Sequence, residues 1–313
     1  MKTITVVIPT YNEEENINLI YERVVSIFQN SLKNYHYKIL FVDNCSKDRT
    51  RDLIKNLSLK DNNVQYIYYV RNFGFSKSVF YGLTQAEGDC AVLLFADMQD
   101  PPELLENFVK EWENGYKVVA GIKNKSQENA FMYFIRNCYY KFVKIITDIP
   151  HIEQFTGFGL YDKTIINIFA ELEDPMPYLR GIVAELAPEC KKIYYEQKKR
   201  EHGKSSFNFI NLYDVAMLGI TSYSKLLMRI ATFVGVFIAI ISTFLALLTF
   251  ILKIFNIVDY PIGTAAIIFG VFFLGSVQLI FIGILGEYIS NINIRTMKHP
   301  IVIEEERKNF HCE

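Results

Sequence analysis

The sequence predicts an α/β domain with a mostly parallel sheet, followed by a pair of membrane-spanning helices. Two observations predict the first part. Short apolar runs alternate with amphipathic stretches from about residue 1 to residue 205, and each run ends in a polar turn. A third predicts the second part: two long runs, Ile230–Leu252 and Tyr260–Gly286, carry no charged residue. Each matches the roughly 20 residues that span a bilayer.

The elements follow in order. "TITVVIPT" is β-branched and reads as a buried strand, and an amphipathic helix follows it to about Asn30. Glu14 and Glu15 suit the first turn of that helix, where negative charge faces the positive end of the dipole. "YKILFVDNCSKDRT", "VQYIYYVRNFGFSKSVFYGLTQA" and "CAVLLFADMQDPPELLENFVKEW" repeat the strand, turn and helix pattern. In "DPPE", Asp100 reads as a helix cap before Pro101, with Glu103 at the capping-box position. Asp97 ends an apolar run and has no such structural role. Asp43, Arg71 and Asp97 all fall at carboxyl ends of strands, where open parallel sheets bind ligands.

Boundaries are expected at 1–205 for the catalytic domain and 206–229 for amphipathic helices lying along the membrane. Residues 230–290 hold two spans, about 230–253 and 261–286, and 291–313 form a tail. The short connection "KIFNIVDYP" makes the spans a hairpin. Lys204, Lys225 and Arg229 precede it, while Arg295, Lys298, Arg307 and Lys308 follow it, and the connection offers only Lys253. The positive-inside rule puts both the large domain and the tail in the cytoplasm. In "FNFINLYDVAMLGITSYSKLLMRI", Phe207, Phe209 and Tyr213 suit an interface with the lipid bilayer.

Composition excludes other classes. The 33 Lys and Arg balance 34 Asp and Glu, so no nucleic-acid partner is expected. Cys45, Cys90, Cys138, Cys190 and Cys312 stand singly, without zinc-site or disulfide spacing. No phosphate loop and no dinucleotide-binding glycine fingerprint appears, which disfavours an ATPase or a dinucleotide oxidoreductase.

The ordered set "VVIPTYNEEENI", "VDNCSKDRT", "RNFG" and "ADMQDPPE" resembles the family 2 glycosyltransferases, whose nucleotide-sugar-binding domain has the GT-A fold. "YLRGIVAE", "KREHGKSSFNFINLYDVAMLGITSYS" and "GILGEYISNI" resemble the polyprenyl-phosphate members, which include dolichol-phosphate mannose synthase and the bactoprenol glucosyltransferases. The resemblance covers nearly the whole chain. It implies inverting transfer of a sugar from a nucleotide-sugar donor, UDP-glucose first, to a polyprenyl phosphate acceptor in a bacterial-type plasma membrane. GDP-mannose and an amino or N-acetyl sugar stay open, and a homo-oligomer is permitted.

By the same resemblance, Pro9, Tyr11, Glu13, Asp43, Asn44, Arg71 and Asp97 bind the nucleotide. Asp97 and Gln99 hold Mg²⁺ or Mn²⁺. Arg180, Arg200 and Lys204 approach the phosphates, and Arg136 the acceptor phosphate. Each of these cations also reads as an ordinary solvated surface charge.

The sequence departs from the family in several places. Asn44 and Cys45 replace the second Asp and the Gly of "VDDGS". Phe95 replaces the first Asp of Asp-Ala-Asp. "TGFGLYDK" lacks the acid and the Arg of "GDFRL", and Ser206 stands where Gly-x-Ser-Lys has its Lys. The chemistry tolerates these losses. A phosphate monoester, with a second pKa of about 6, is already a nucleophile at neutral pH, and a divalent ion commonly needs one or two carboxylates beside substrate phosphates. A processive polysaccharide synthase is disfavoured because Trp112, the single tryptophan, lies outside a Gln-x-x-Arg-Trp motif. A catalytically impaired relative that binds nucleotide-sugar or partner proteins is the remaining rival.

Overall fold

The computed structural model describes residues 1–125, 152–172, 174–197, 233–238, 240–241, 244, 255, 264–297 and 299–310. The first half alternates as the sequence predicts: β1 Thr3–Thr10, α1 Ile17–Asn30, β2 His36–Asp43, α2 Thr50–Lys60, β3 Val64–Tyr69, α3 Phe75–Thr84, β4 Cys90–Leu93 and α4 Leu104–Glu113. Then come β5 Val118–Lys125, β6 Phe155–Asp162, α5 Lys163–Glu171, α6 Leu179–Leu186 and β7 Lys191–Glu196. A long helix, α7 Thr264–Thr296, and a last strand, β8 Glu304–Lys308, complete the described elements.

Eight strands form one sheet in the order β7-β5-β6-β4-β1-β2-β3-β8. β4, β1, β2 and β3 run parallel, and β5 runs parallel to β7. β6 is antiparallel to both its neighbours, and β8 is antiparallel to β3. This is the GT-A-like α/β arrangement. Strand alternation divides the core. Val6 and Ile8 face α1, α2 and α4, while Val7 and Val42 face α3, α5 and α6. The chain winds outward from β1 through β2 to β3, then returns to place β4 on the other side of β1. Open α/β sheets form their ligand-binding crevice where the winding reverses, which here is between β1 and β4.

Two local expectations are corrected. Glu14 and Glu15 precede α1, whose first turn contains no acid. Glu14 instead accepts hydrogen bonds from the Arg49 main-chain N–H at 3.0 Å and side-chain Nε at 3.3 Å. Asp100 is not the helix cap. Glu103 occupies that position without a side-chain bond, and Asp100 is buried beneath the sheet end, accepting from the Tyr195 hydroxyl at 2.5 Å. The two prolines delay the helix, so the acid is left to pair across the fold.

α7 contains, in Phe273–Thr296, a stretch of mean hydropathy 1.6 with no described residue of its apolar window fully buried, long and apolar enough to cross a membrane. It is the one such helix among the described residues. It overruns the expected end of the second span, because Glu287, Asn291 and Asn293 continue the helix beyond the uncharged run. Of the first span, residues 233–238, 240–241 and 244 are described and helical. The amphipathic stretch 206–229 lies outside the described residues.

The tail holds the main surprise. Its strand β8 extends the catalytic sheet, with Tyr66 opposite Lys308 and Tyr68 opposite Glu306. Three consecutive glutamates are poor strand formers, yet each finds a partner. Tyr81 donates its hydroxyl to Glu304 at 2.8 Å, Arg51 Nη1 donates to Glu305 at 2.8 Å, and Tyr66 donates its hydroxyl to Glu306 at 2.6 Å.

Candidate active site

The parallel strands place their carboxyl ends on one edge, so the residues after β1, β2, β3 and β4 converge. Thr10 pairs with Asp43, and Asp43 pairs with Tyr68, in adjacent registers. Pro9, Tyr11 and Glu13 follow from β1, Asp43 and Asn44 from β2, Arg71 from β3, and Asp97 and Gln99 from β4. The structure therefore sets all eight of these sequence-selected residues at one edge of the sheet. The β1 and β2 turns are bonded to each other. Asn12 N–H donates to Ser46 Oγ at 2.8 Å, Lys47 N–H to Asn12 Oδ1 at 2.8 Å, and Glu13 N–H to Thr50 Oγ1 at 2.9 Å. The Glu13 carboxylate accepts from Asn16 at 2.6 Å.

Asp43 is wholly buried, and its carboxylate is engaged by protein donors. Oδ1 accepts from Ser46 N–H at 3.0 Å and from Arg51 Nε at 2.5 Å, and the Ser46 hydroxyl donates to Oδ2. Asn44 bridges to the next loop. Its amide donates to Asn72 Oδ1 at 3.0 Å, and its oxygen accepts from Phe73 N–H at 2.9 Å. An aspartate there would lack the donor for Asn72. Cys45 takes φ +66°, the left-handed conformation that a glycine adopts without strain. The two acidic-motif positions thus shape the turns that carry the exposed groups.

Across the crevice, Met98 is buried with φ +56° and is flanked by half-buried Asp97 and Gln99. Gln99 N–H closes a tight turn onto Asp97 Oδ1 at 3.2 Å. Phe95 packs against both core clusters and meets Phe75, at the start of α3, with ring centroids 5.6 Å apart. Burial pushes the Asp100 carboxyl pKa up, with nearby Asp97 adding to the effect against Lys123 and the Tyr195 bond.

The β6 segment explains its own departures. A Cβ on Gly159 would sit 2.3 Å from the Val119 carbonyl oxygen, so this backbone admits no arginine there. Gly157 has φ +104°, and a Cβ would crowd Leu179 at 3.1 Å and Leu93 at 3.2 Å. Asp162 is the α5 cap, accepting from Thr164 N–H at 3.0 Å and from the Trp112 indole at 2.8 Å. Burial opposes its ionisation, but the bonds from Thr164, Trp112 and Lys117 win and hold the pKa at about 2. An acid so stabilised is a poor proton acceptor.

Arg180 lies half-buried in the first turn of α6. Arg71 is exposed and stacks over Phe73, 4.3 Å from the ring centre. Arg136, Arg200 and Lys204 lie outside the described residues. Sequence reasoning missed Ser46, Thr50, Arg51, Asn72 and Lys77. Ser46 and Thr50 sit inside the motif "VDNCSKDRT", which was their signal, and Arg51 follows it directly. Lys77, in the first turn of α3, is half-buried, and burial followed by Arg71 lowers its pKa.

Residues 5–169 match the sequence profile of glycosyl transferase family 2. CsbB of Bacillus subtilis, provisionally named a glycosyltransferase, is 31% identical over 97% of this chain and 91% of its own. The bactoprenol glucosyl transferase of Shigella phage SfV is 33% identical over 97% of this chain and 99% of its own. A prophage homolog of that enzyme in Escherichia coli K12 is 30% identical over 95% and 96%.

Proposed function

The chain belongs to glycosyl transferase family 2 and is a glycosyltransferase; from that premise we propose that it transfers glucose from UDP-glucose to a polyprenyl phosphate, with inversion at the anomeric carbon. The observation that carries this reading is the end-to-end similarity to bactoprenol glucosyl transferases, which extends past the catalytic domain into the membrane segment.

Donor binding is assigned to the crevice between β1 and β4. Pro9, Tyr11 and Glu13 border the nucleoside, and Arg71 adds positive charge. Asp43 and Asn44 act from beneath by fixing the turns. Asp97 and the side-chain oxygen of Gln99 are hard oxygen donors that suit Mg²⁺ or Mn²⁺. The described residues contain no cluster of three metal-binding side chains, so the remaining ligands would come from the diphosphate and water. Such an ion would neutralise charge on the leaving diphosphate. Arg180, with Arg136, Arg200 and Lys204, is assigned to the phosphates, where fixed positive charge favours the separating diphosphate. The acceptor phosphate, with a second pKa of about 6, attacks as an anion and needs no strong base. Asp162 as a cap, and Gly157 without a side chain, agree with that economy.

Connectivity supports an arrangement with two crossings. β8 lies in the same sheet as β1–β4, so both ends of the membrane segment return to one side. A crossing by α7 then requires a second crossing, and the uncharged run Ile230–Leu252 supplies it. The flanking cations favour the cytoplasm for the catalytic domain and the tail. Phe95, which removes a metal-side carboxylate, favours the second reading of an impaired relative that binds nucleotide-sugar.

The test is transfer of labelled sugar into butanol-extractable lipid, using undecaprenyl phosphate, Mg²⁺ or Mn²⁺, and a panel of UDP- and GDP-sugars. A metal-dependent product from UDP-glucose alone supports the proposal, and a product from another donor reassigns the sugar. No product from folded protein that still binds UDP turns the reading to the impaired relative.

A further inference from the structure

We propose that the strand following the membrane helix is a working part of the donor-nucleotide pocket, with Arg51 and Glu305 as positioning residues for the turn that carries Asp43. The proposal rests on the donor reading of the crevice given above.

The Arg51 guanidinium joins the ends of three strands. Nε donates to Asp43 at the end of β2 at 2.5 Å, Nη2 to the Tyr69 carbonyl at the end of β3 at 2.7 Å, and Nη1 to Glu305 in β8 at 2.8 Å. Its face stacks on Tyr68, 5.0 Å from the ring centre, and the Tyr68 hydroxyl donates back to the Arg51 carbonyl at 2.7 Å. A planar fork held on three sides has one orientation. Losing the Glu305 contact frees the outer nitrogen to turn toward solvent and shifts the inner one against Asp43.

Asp43 passes the constraint onward. It holds Ser46 through both main-chain N–H and hydroxyl, and Ser46 Oγ accepts from Asn12 N–H at 2.8 Å. The bonded path Glu305, Arg51, Asp43, Ser46, Asn12 thus runs from the tail strand to the loop bearing Tyr11 and Glu13. Only residues 297–303 separate α7 from β8. Seating of the membrane helix and shape of the nucleotide pocket are therefore linked through one short connection.

The test uses the full-length protein in nanodiscs, with UDP and Mn²⁺ as the probe and donor kinetics alongside. Glu305→Lys is expected to weaken UDP binding and raise the donor KM roughly tenfold, with kcat at saturating donor unchanged. Glu305→Asp is expected to recover wild-type binding. Glu306→Ala is the control. It loosens the same strand by removing the acceptor of the Tyr66 hydroxyl and leaves the Arg51–Glu305 pair in place, and UDP binding is expected to persist. Unchanged UDP affinity in Glu305→Lys overturns the proposal. So does equal weakening by Glu306→Ala, which would reduce the strand to a general support. Wild-type protein that binds neither UDP nor GDP overturns the donor reading itself.

Discussion

The Phe95 ring lies against that of Phe75, centroids 5.6 Å apart, an apolar clasp between the segment after β4 and the start of α3. The resemblance to the family expects a carboxylate at this position. Phe95→Asp is expected to lower stability by about 1–2 kcal/mol, because a half-buried ring loses its packing. Mn²⁺ binding in the presence of UDP is expected to tighten several-fold. A Mn²⁺ titration read by electron paramagnetic resonance checks it, and unchanged affinity would place the metal away from this strand end.

Asp97→Asn keeps the size and the tight turn but removes the charge. Transfer activity is expected to fall by about two orders of magnitude, with the melting curve close to wild type. Wild-type turnover would remove Asp97 from the metal assignment.

Cys45→Gly is expected to stabilise the protein by about 0.5–1 kcal/mol. The left-handed backbone costs an L-residue about 1–2 kcal/mol, and glycine returns part of that as chain entropy in the unfolded state. Denaturant melts would detect the change, and a loss of stability would show that the Cys45 thiol, 3.8 Å from the Val70 carbonyl, contributes more than its backbone strain.

Gly159→Ala is expected to be among the most damaging single-methyl additions. Its Cβ would meet the Val119 carbonyl oxygen at 2.3 Å, and only separation of β5 from β6 relieves the clash. A loss of more than about 3 kcal/mol, or failure to fold, is the expected outcome. Normal expression and melting would show that the strand pair yields easily.

Asp162 sets an acid limit. Its folded pKa of about 2 lies below the ordinary 3.8, so its contribution is fully present above pH 4 and is lost as pH falls toward 2. Asp162→Asn should therefore cost about 2 kcal/mol at neutral pH, with the gap from wild type closing across that acid window. Parallel melts from pH 7 to pH 2 provide the check, and a pH-independent gap would assign the loss to packing.

The site residues were legible because the first half of the fold is local. Each apolar run carries its strand, each polar turn follows at once, and parallel pairing then aligns their ends without further information. Asp43, Arg71 and Asp97 could be grouped on that ground alone. Asp100 and Glu14 were misread for the same reason: local cap and dipole rules explained them, while their actual partners, Tyr195 and Arg49, come from other elements. Arg51 was missed because its partners Asp43, Tyr69 and Glu305 come from three other elements.

The alternating apolar periodicity by itself determined the α/β class and which strand ends share one edge of the sheet, and the ordered motifs carried the resemblance to the family. Only the tertiary structure decided that β8 joins the sheet, that the Asp43 carboxylate is buried against Ser46 and Arg51, and that Gly159 has no room for a side chain. Those facts depend on contacts between residues far apart in sequence. A run such as Glu304–Lys308 carries no strand signal of its own, and becomes a strand because an open edge and the waiting groups of Tyr81, Arg51 and Tyr66 satisfy it.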